Sequence, residues 1–107
     1  MDDDLIADIF AGLGKVTTRR MFSGKGIYHD GLIVGVVLRG ELMLKADEVT
    51  APDFAAAGAR RFTYPNKRSG KIVEMPYWTI PDGAIDDPDA LAGWTRKAYE
   101  AALRSAR

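Results

Sequence analysis

The chain contains no cysteine and a single histidine, His29. The first absence removes disulfides, thiolate nucleophiles, iron–sulfur ligation and every zinc site built on cysteine. The second removes any metal site that needs two imidazoles, and it leaves a Ser-His-Asp device to recruit its other members from distant positions. Long apolar runs are missing too. The longest, apart from its glycine, is LIVGVVL (Leu32 to Leu38), far too short to span a bilayer. The N-terminus MDDDLIADIF is acidic where a secretory leader is basic. These features predict a cytoplasmic protein with no membrane partner, no metal and no cofactor.

Net charge is also absent, with 15 basic and 15 acidic residues, but its distribution is uneven. Lys15 to Lys71 holds eleven bases against five acids, whereas both flanking segments are acidic. Domains that grip duplex DNA chiefly through phosphates are usually basic overall. The balance therefore argues against strong independent DNA binding and leaves room for a local basic patch.

What is present is globular in character. Hydrophobic residues make up 47% and charged residues 28% of 107 positions, and no linker or repeat divides them, so residues 1–107 are expected to form one domain. Leu5, Ile6, Ile9, Phe10 and Leu13 recur on one helical face, with aspartates in the first turn and Gly12 and Gly14 as the stop. From Val16 to Ala46 short β-branched or apolar runs replace that period. Asp30-Gly31 is a strong hairpin signal, Arg39-Gly40 a weaker one, and LIVGVVL, apolar on both faces, reads as central. This region is counted as three antiparallel strands.

Thr50 reads as the N-cap of a short helix closed by Gly58. RRFTYP and KIVEMPYWTI read as two further strands, the second at an edge or bulged at Pro76 because proline lacks an amide donor. In the final helix Asp86 or Asp87 caps, Pro88 starts, and Leu91, Trp94, Ala98 and Ala101 or Ala102 form the buried stripe. Arg96, Glu100 and Arg104 are expected to pair along its outer face. The order α-β-β-β-α-β-β-α predicts an α+β two-layer sandwich with a five-stranded antiparallel sheet.

Few residues carry chemistry. SGKG (Ser23 to Gly26) fails as a phosphate loop, because Arg19 stands where the leading glycine is required and Gly26 where a hydroxyl is required. Gly24 and Gly26 read instead as residues that permit unusual φ in a strand-to-strand turn. His29 adjoins a tight turn and reads as solvated or turn-bonded, and the run Asp82, Asp86, Asp87, Asp89 reads as helix capping. Adjacent strand residues face opposite sides, so Arg19 and Arg20 are not decorations of one face, and one of them is expected to need a carboxylate. The second basic cluster comprises Arg60, Arg61, Lys67, Arg68 and Lys71. Nearby Phe62, Tyr64, Tyr77 and Trp78 either stack on single-stranded nucleic acid or build the core beneath Trp94, and the core is the favoured reading.

The segments VTTRRMFSGKGIYHDGLIVGVVLRGELMLKA and FTYPNKRSGKIVEMPYWTIPDGAIDDPDAL closely resemble the TfoX/Sxy N-terminal domain family. The matching positions are Arg19, Arg20, Met21, Phe22, Gly24, Gly26, Tyr28, Asp30, Gly31, Leu44, Lys45, Phe62, Tyr64, Tyr77 and Trp78, with Ser23 in place of a family glycine. The resemblance implies the same order of elements and a regulatory association, since members take part in the control of natural DNA uptake and competence genes. No enzymatic activity is attached to the family, and longer members add a C-terminal domain. The expected function is a non-enzymatic regulatory module that contacts a protein partner or itself as a dimer. Its expected binding residues are Arg19, Arg20, Phe22, Lys25, Tyr64, Lys67, Arg68, Tyr77 and Trp78. A nucleic-acid-binding module and a small enzyme working around His29 or Arg20 are the alternatives.

Overall fold

A computed structural model describes residues 1–21 and 23–107. Among them three helices and six strands follow in the order α1 (Asp3–Ile9), β1 (Thr17–Met21), β2 (Gly24–His29), β3 (Leu32–Leu38), β4 (Glu41–Lys45), α2 (Ala51–Ala56), β5 (Arg61–Pro65), β6 (Ile72–Thr79) and α3 (Pro88–Ser105). The class is α+β as expected, but the sheet has six strands where five were predicted. The extra strand arises because the two runs on either side of Ser23 form separate strands, paired from Thr17 opposite Tyr28 to Met21 opposite Gly24. Neither Gly24 nor Gly26 has positive φ. Gly24 is needed for space instead: a Cβ there would fall onto the Val37 carbonyl oxygen across the ladder.

The sheet order is β1-β2-β3-β4-β6-β5, with every neighbour antiparallel and β3 inside, as its two-sided apolar pattern predicts. Both foreseen hairpin turns form, with φ of 50° and 79° at Asp30 and Gly31 and of 52° and 78° at Arg39 and Gly40. Those positive values are what a type I′ turn demands. Pro76 does not place β6 at an edge, since β6 lies between β4 and β5. It does coincide with an irregularity: the β5–β6 register jumps from Arg61 opposite Trp78 to Thr63 opposite Glu74. The Pro76 carbonyl still accepts from Ala46 N–H at 2.9 Å, so only its missing donor is forfeited.

The helix caps are mostly aspartates. Asp2 accepts from Leu5 N–H at 2.8 Å, and Asp87, not Asp86, accepts from the amides of Asp89 and Ala90. Thr50 occupies the predicted cap position of α2 but makes no capping bond itself. Asp47 does that work three residues earlier, accepting from the amides of Val49 and Thr50, while Asp47 N–H donates back to Thr50 Oγ1. This is the reciprocal logic of a capping box with the carboxylate first. Asp47 also receives a two-pronged bond from Arg104, Nε at 2.6 Å and Nη2 at 3.0 Å. The expected outer-face pairing of Arg104 with Glu100 is thereby replaced by a contact to a loop 57 residues away, and no ion pair joins Arg96 to Glu100.

All three helices lie on one side of the sheet. Ile6, Ile9 and Phe10 of the α1 region, Phe54 of α2, and Leu91, Ala98 and Ala102 of α3 pack with Ile27, Val34, Val37, Leu42 and Leu44. Phe54 stacks obliquely on Trp94 at 4.7 Å and on Trp78 at 6.3 Å between ring centres. Trp94 is only partly buried. Thr95, not foreseen in the stripe, is fully buried with its hydroxyl donating to the Leu91 carbonyl at 2.8 Å. That bond satisfies the polar group that burial would otherwise penalise.

Candidate interaction face

The opposite side of the sheet has its own apolar cluster, to which no described helix contributes. Val36, Met43 and Tyr77 are buried there by one another and by Ile33, Leu38, Phe62 and Met75. The alternation of β-strands creates this second layer: Val36 pairs with Met43, and the adjacent Leu44 pairs with Trp78, so the two sets face opposite sides. Ordinary strand alternation turns Tyr28 to the open side after Ile27 has gone into the helix-side core, and the register shift beside them leaves Val34 of β3 as the extra residue. The Arg19 guanidinium then sits 5.1 Å over the Tyr28 ring and Lys45 Nζ 6.0 Å from the Tyr77 ring centre. Burial, together with the neighbouring Tyr28, pushes the Tyr77 hydroxyl above its ordinary pKa. Beside this cluster Ser23, Leu38, Arg39, Met43, Phe62 and Tyr64 help line a groove of about 440 Å³.

The structure separates the sequence-predicted residues as much as it gathers them. Arg19, Tyr64 and Tyr77 belong to the open side, Tyr64 being 42% exposed and 6.1 Å from the Phe62 ring. Trp78, the other half of the Tyr-Trp dipeptide, is in the helix-side core, so the expectation of a shared core beneath Trp94 holds for Trp78 and not for Tyr77 or Phe62. Arg20 and Lys25 are cross-strand partners on the helix side, where Lys25 bonds the Asp3 carboxylate at 2.9 Å and the Met1 carbonyl at 3.3 Å. The Lys25 hydrogen bond and charge hold the Asp3 carboxyl below its usual pKa. Among the described residues neither Arg19 nor Arg20 has the carboxylate partner expected of one of them. Lys67 and Arg68 sit exposed in the β5–β6 turn, ordered by Asn66 Oδ1, which accepts from Arg68 and Ser69 N–H at 2.9 and 3.2 Å. Phe22 lies outside the described residues.

Residues 8–102 match the TfoX N-terminal domain. The chain belongs to that family. No curated protein matches it closely enough to name a relative. In this TfoX N-terminal domain ten of the matched motif positions divide among three tasks. Asp30 and Gly31 make a turn, Gly24 and Leu44 serve close packing, and Arg19, Tyr28, Lys45, Phe62, Tyr64 and Tyr77 line the open face or its rim.

Other polar groups of the TfoX N-terminal domain are occupied structurally. His29 Nδ1 donates to the Lys15 carbonyl at 2.7 Å, and the ring meets Tyr99 edge-on at 4.8 Å. Tyr99 in turn donates to Asp30 at 3.1 Å, tying α3 to the β2–β3 turn; burial and that bond raise its pKa. No cluster of three acidic or histidine side chains suited to a metal occurs among the described residues, and no helix among them is long and apolar enough to cross a membrane. Sequence reasoning missed Tyr28, Lys45 and Met43 as members of the open face. Met43 and Lys45 lie at alternate positions of one short strand and Tyr28 alternates with the core residue Ile27, so strand period was a usable signal for all three.

Proposed function

We propose that this chain is a non-enzymatic regulatory binding module that docks a protein partner on the open face of its sheet. The observation that carries the reading is the second apolar cluster on the side away from all three helices, where the partly exposed Ile33, Leu38, Phe62 and Met75 lie over buried Val36, Met43 and Tyr77, rimmed by exposed Tyr64 and the cations Arg19 and Lys45. Aromatic, methionine and arginine side chains are enriched at protein interfaces, and an apolar patch with a charged rim is their usual anatomy. The family's link to control of DNA uptake supports a regulatory role for that contact. Engagement of His29 by Lys15 and Tyr99 speaks against the small-enzyme alternative.

A second reading, nucleic-acid binding, draws on the β5–β6 turn, where Lys67, Arg68 and Lys71 have no carboxylate partner among the described residues. One experiment separates the two. Tagged chain is used to retain proteins from an extract with and without nuclease treatment, at low and high salt, beside Tyr64→Ser and Lys45→Glu. The proposed module retains a discrete protein that both variants lose. Retention that vanishes with nuclease and falls steeply with salt marks the nucleic-acid reading, because phosphate contacts release counterions. Capture unaffected by either variant contradicts the open-face assignment.

A further inference from the structure

The two edges of the sheet are built differently. On β5 the ladder is broken between Arg61 and Thr63, and the strand ends in Pro65, both of which hinder pairing by another chain. On β1 the ladder to β2 runs from Thr17 to Met21 with no shift, no proline lies within the strand, and β2 is its only neighbour among the described residues. Every second residue of an edge strand turns its N–H and C=O away from the sheet. The β1 edge is therefore a regular five-residue template whose charged side chains are Arg19 and Arg20, with Thr18 Oγ1 donating to the Asp3 carboxylate of α1 at 3.3 Å.

Those two arginines decide what the template admits. Arg19 projects on the open side over Tyr28, and Arg20, across from Lys25, projects on the helix side. Both are exposed and neither has a carboxylate within 4.0 Å among the described residues. An antiparallel pairing of β1 with a second copy of itself centred on either arginine would set that arginine against its own copy, a like-charge arrangement that destabilises cross-strand pairs. Met21, 38% exposed, shares the open side with Arg19.

We propose that β1 is a strand-addition site for an extended acidic segment of a partner protein, taken up as a seventh, antiparallel strand. This deepens the protein-docking reading above and rests on it. Directly opposed side chains are about 4.5–5.5 Å apart, so an incoming segment that reads apolar, acidic, acidic from its N-terminal side sets an apolar residue beside Met21 and carboxylates beside Arg20 and Arg19. Main-chain bonds supply affinity and the paired arginines supply selectivity, as in other strand-addition sites. Two neighbouring acids are required because adjacent strand positions face opposite sides.

The test uses the full chain and a fluorescent peptide of about ten residues with Leu-Glu-Asp at its centre, a length that covers a five-residue edge with flanks. Binding is read by anisotropy and its position by amide hydrogen exchange. The expected result is slowed exchange in β1, an affinity loss of about tenfold or more for Arg19→Glu with Arg20→Glu, and recovery when the variant meets a Leu-Lys-Lys peptide. Both arginines are exposed, and a thermal melt of the variant checks that it folds. A peptide N-methylated along one edge must fail to bind. No binding, binding that survives N-methylation, or protection confined to the β5–β6 turn would overturn the proposal. Extract capture that depends on Tyr64 and Lys45 remains intact in that event if the docking reading itself is right.

Discussion

At the scale of single residues the most consequential contact is Asp47 with Arg104. One carboxylate caps the turn before α2 and receives both prongs of a guanidinium near the end of α3, with the two side chains 24% and 30% exposed. The Arg104 hydrogen bonds are the largest cause that lowers its pKa to about 2 from 3.8. A folded-state pKa below the unfolded one means that the stabilisation is complete above the unfolded value and is lost as pH falls through the folded one. Urea unfolding is therefore expected to show roughly 1–2 kcal/mol of stability disappearing between about pH 5 and pH 2 from this group. Asp47→Ala should abolish that component and destabilise the chain at neutral pH by about 1–3 kcal/mol, through loss of the cap as well as the pair. An unchanged acid limb in the variant would show that other carboxylates govern it. Arg104 was misread from sequence because spacing along a helix reveals only neighbours on that helix. A partner 57 residues distant becomes visible only when the fold is formed.

At the scale of elements, type and order were largely legible, and the failures have identifiable causes. Turn chemistry located both tight hairpins, since Asp30-Gly31 and Arg39-Gly40 carry the conformations that their dipeptides favour. The strand count omits the run VTTRRMF even though Gly24 and Gly26 read as a turn between it and the next strand. Gly24 is there for closeness rather than for φ. Gly24→Ala is accordingly expected to force the β2 and β3 backbones apart and lower stability by about 1–3 kcal/mol. Gly93, in the interior of α3 with open space where a Cβ would sit, should behave oppositely, Gly93→Ala stabilising by about 0.5–1 kcal/mol. Thermal or urea melts of the pair check both signs. Equal and small effects would mean that the Val37 carbonyl yields easily. Pro76 carried a half-true signal: the residue does disturb the ladder, yet β6 is interior because β5 returns on its other side.

At the scale of the whole molecule, the placing of helices against one antiparallel sheet was legible in the order of elements, and the second apolar layer was not. Hydrophobic periodicity says that a strand is buried on both faces; it does not say whether the cover on a given face is a helix or other side chains of the sheet itself. Three helices cover one face, and the other is closed only by Ile33, Leu38, Phe62, Met75 and their neighbours. The residues proposed for binding were scattered by the same alternation, Tyr77 to the open side and Trp78 to the helix side. The central claim is that the open side of the sheet meets a protein partner and the outer surface of the helices does not. A photo-cross-linking amino acid placed at Tyr64, with a matched probe at Arg96 on exposed α3, tests it in living cells. Discrete adducts of one size from position 64 and none from position 96 are predicted. Adducts from position 96 alone, or the same adducts from both, would contradict the account.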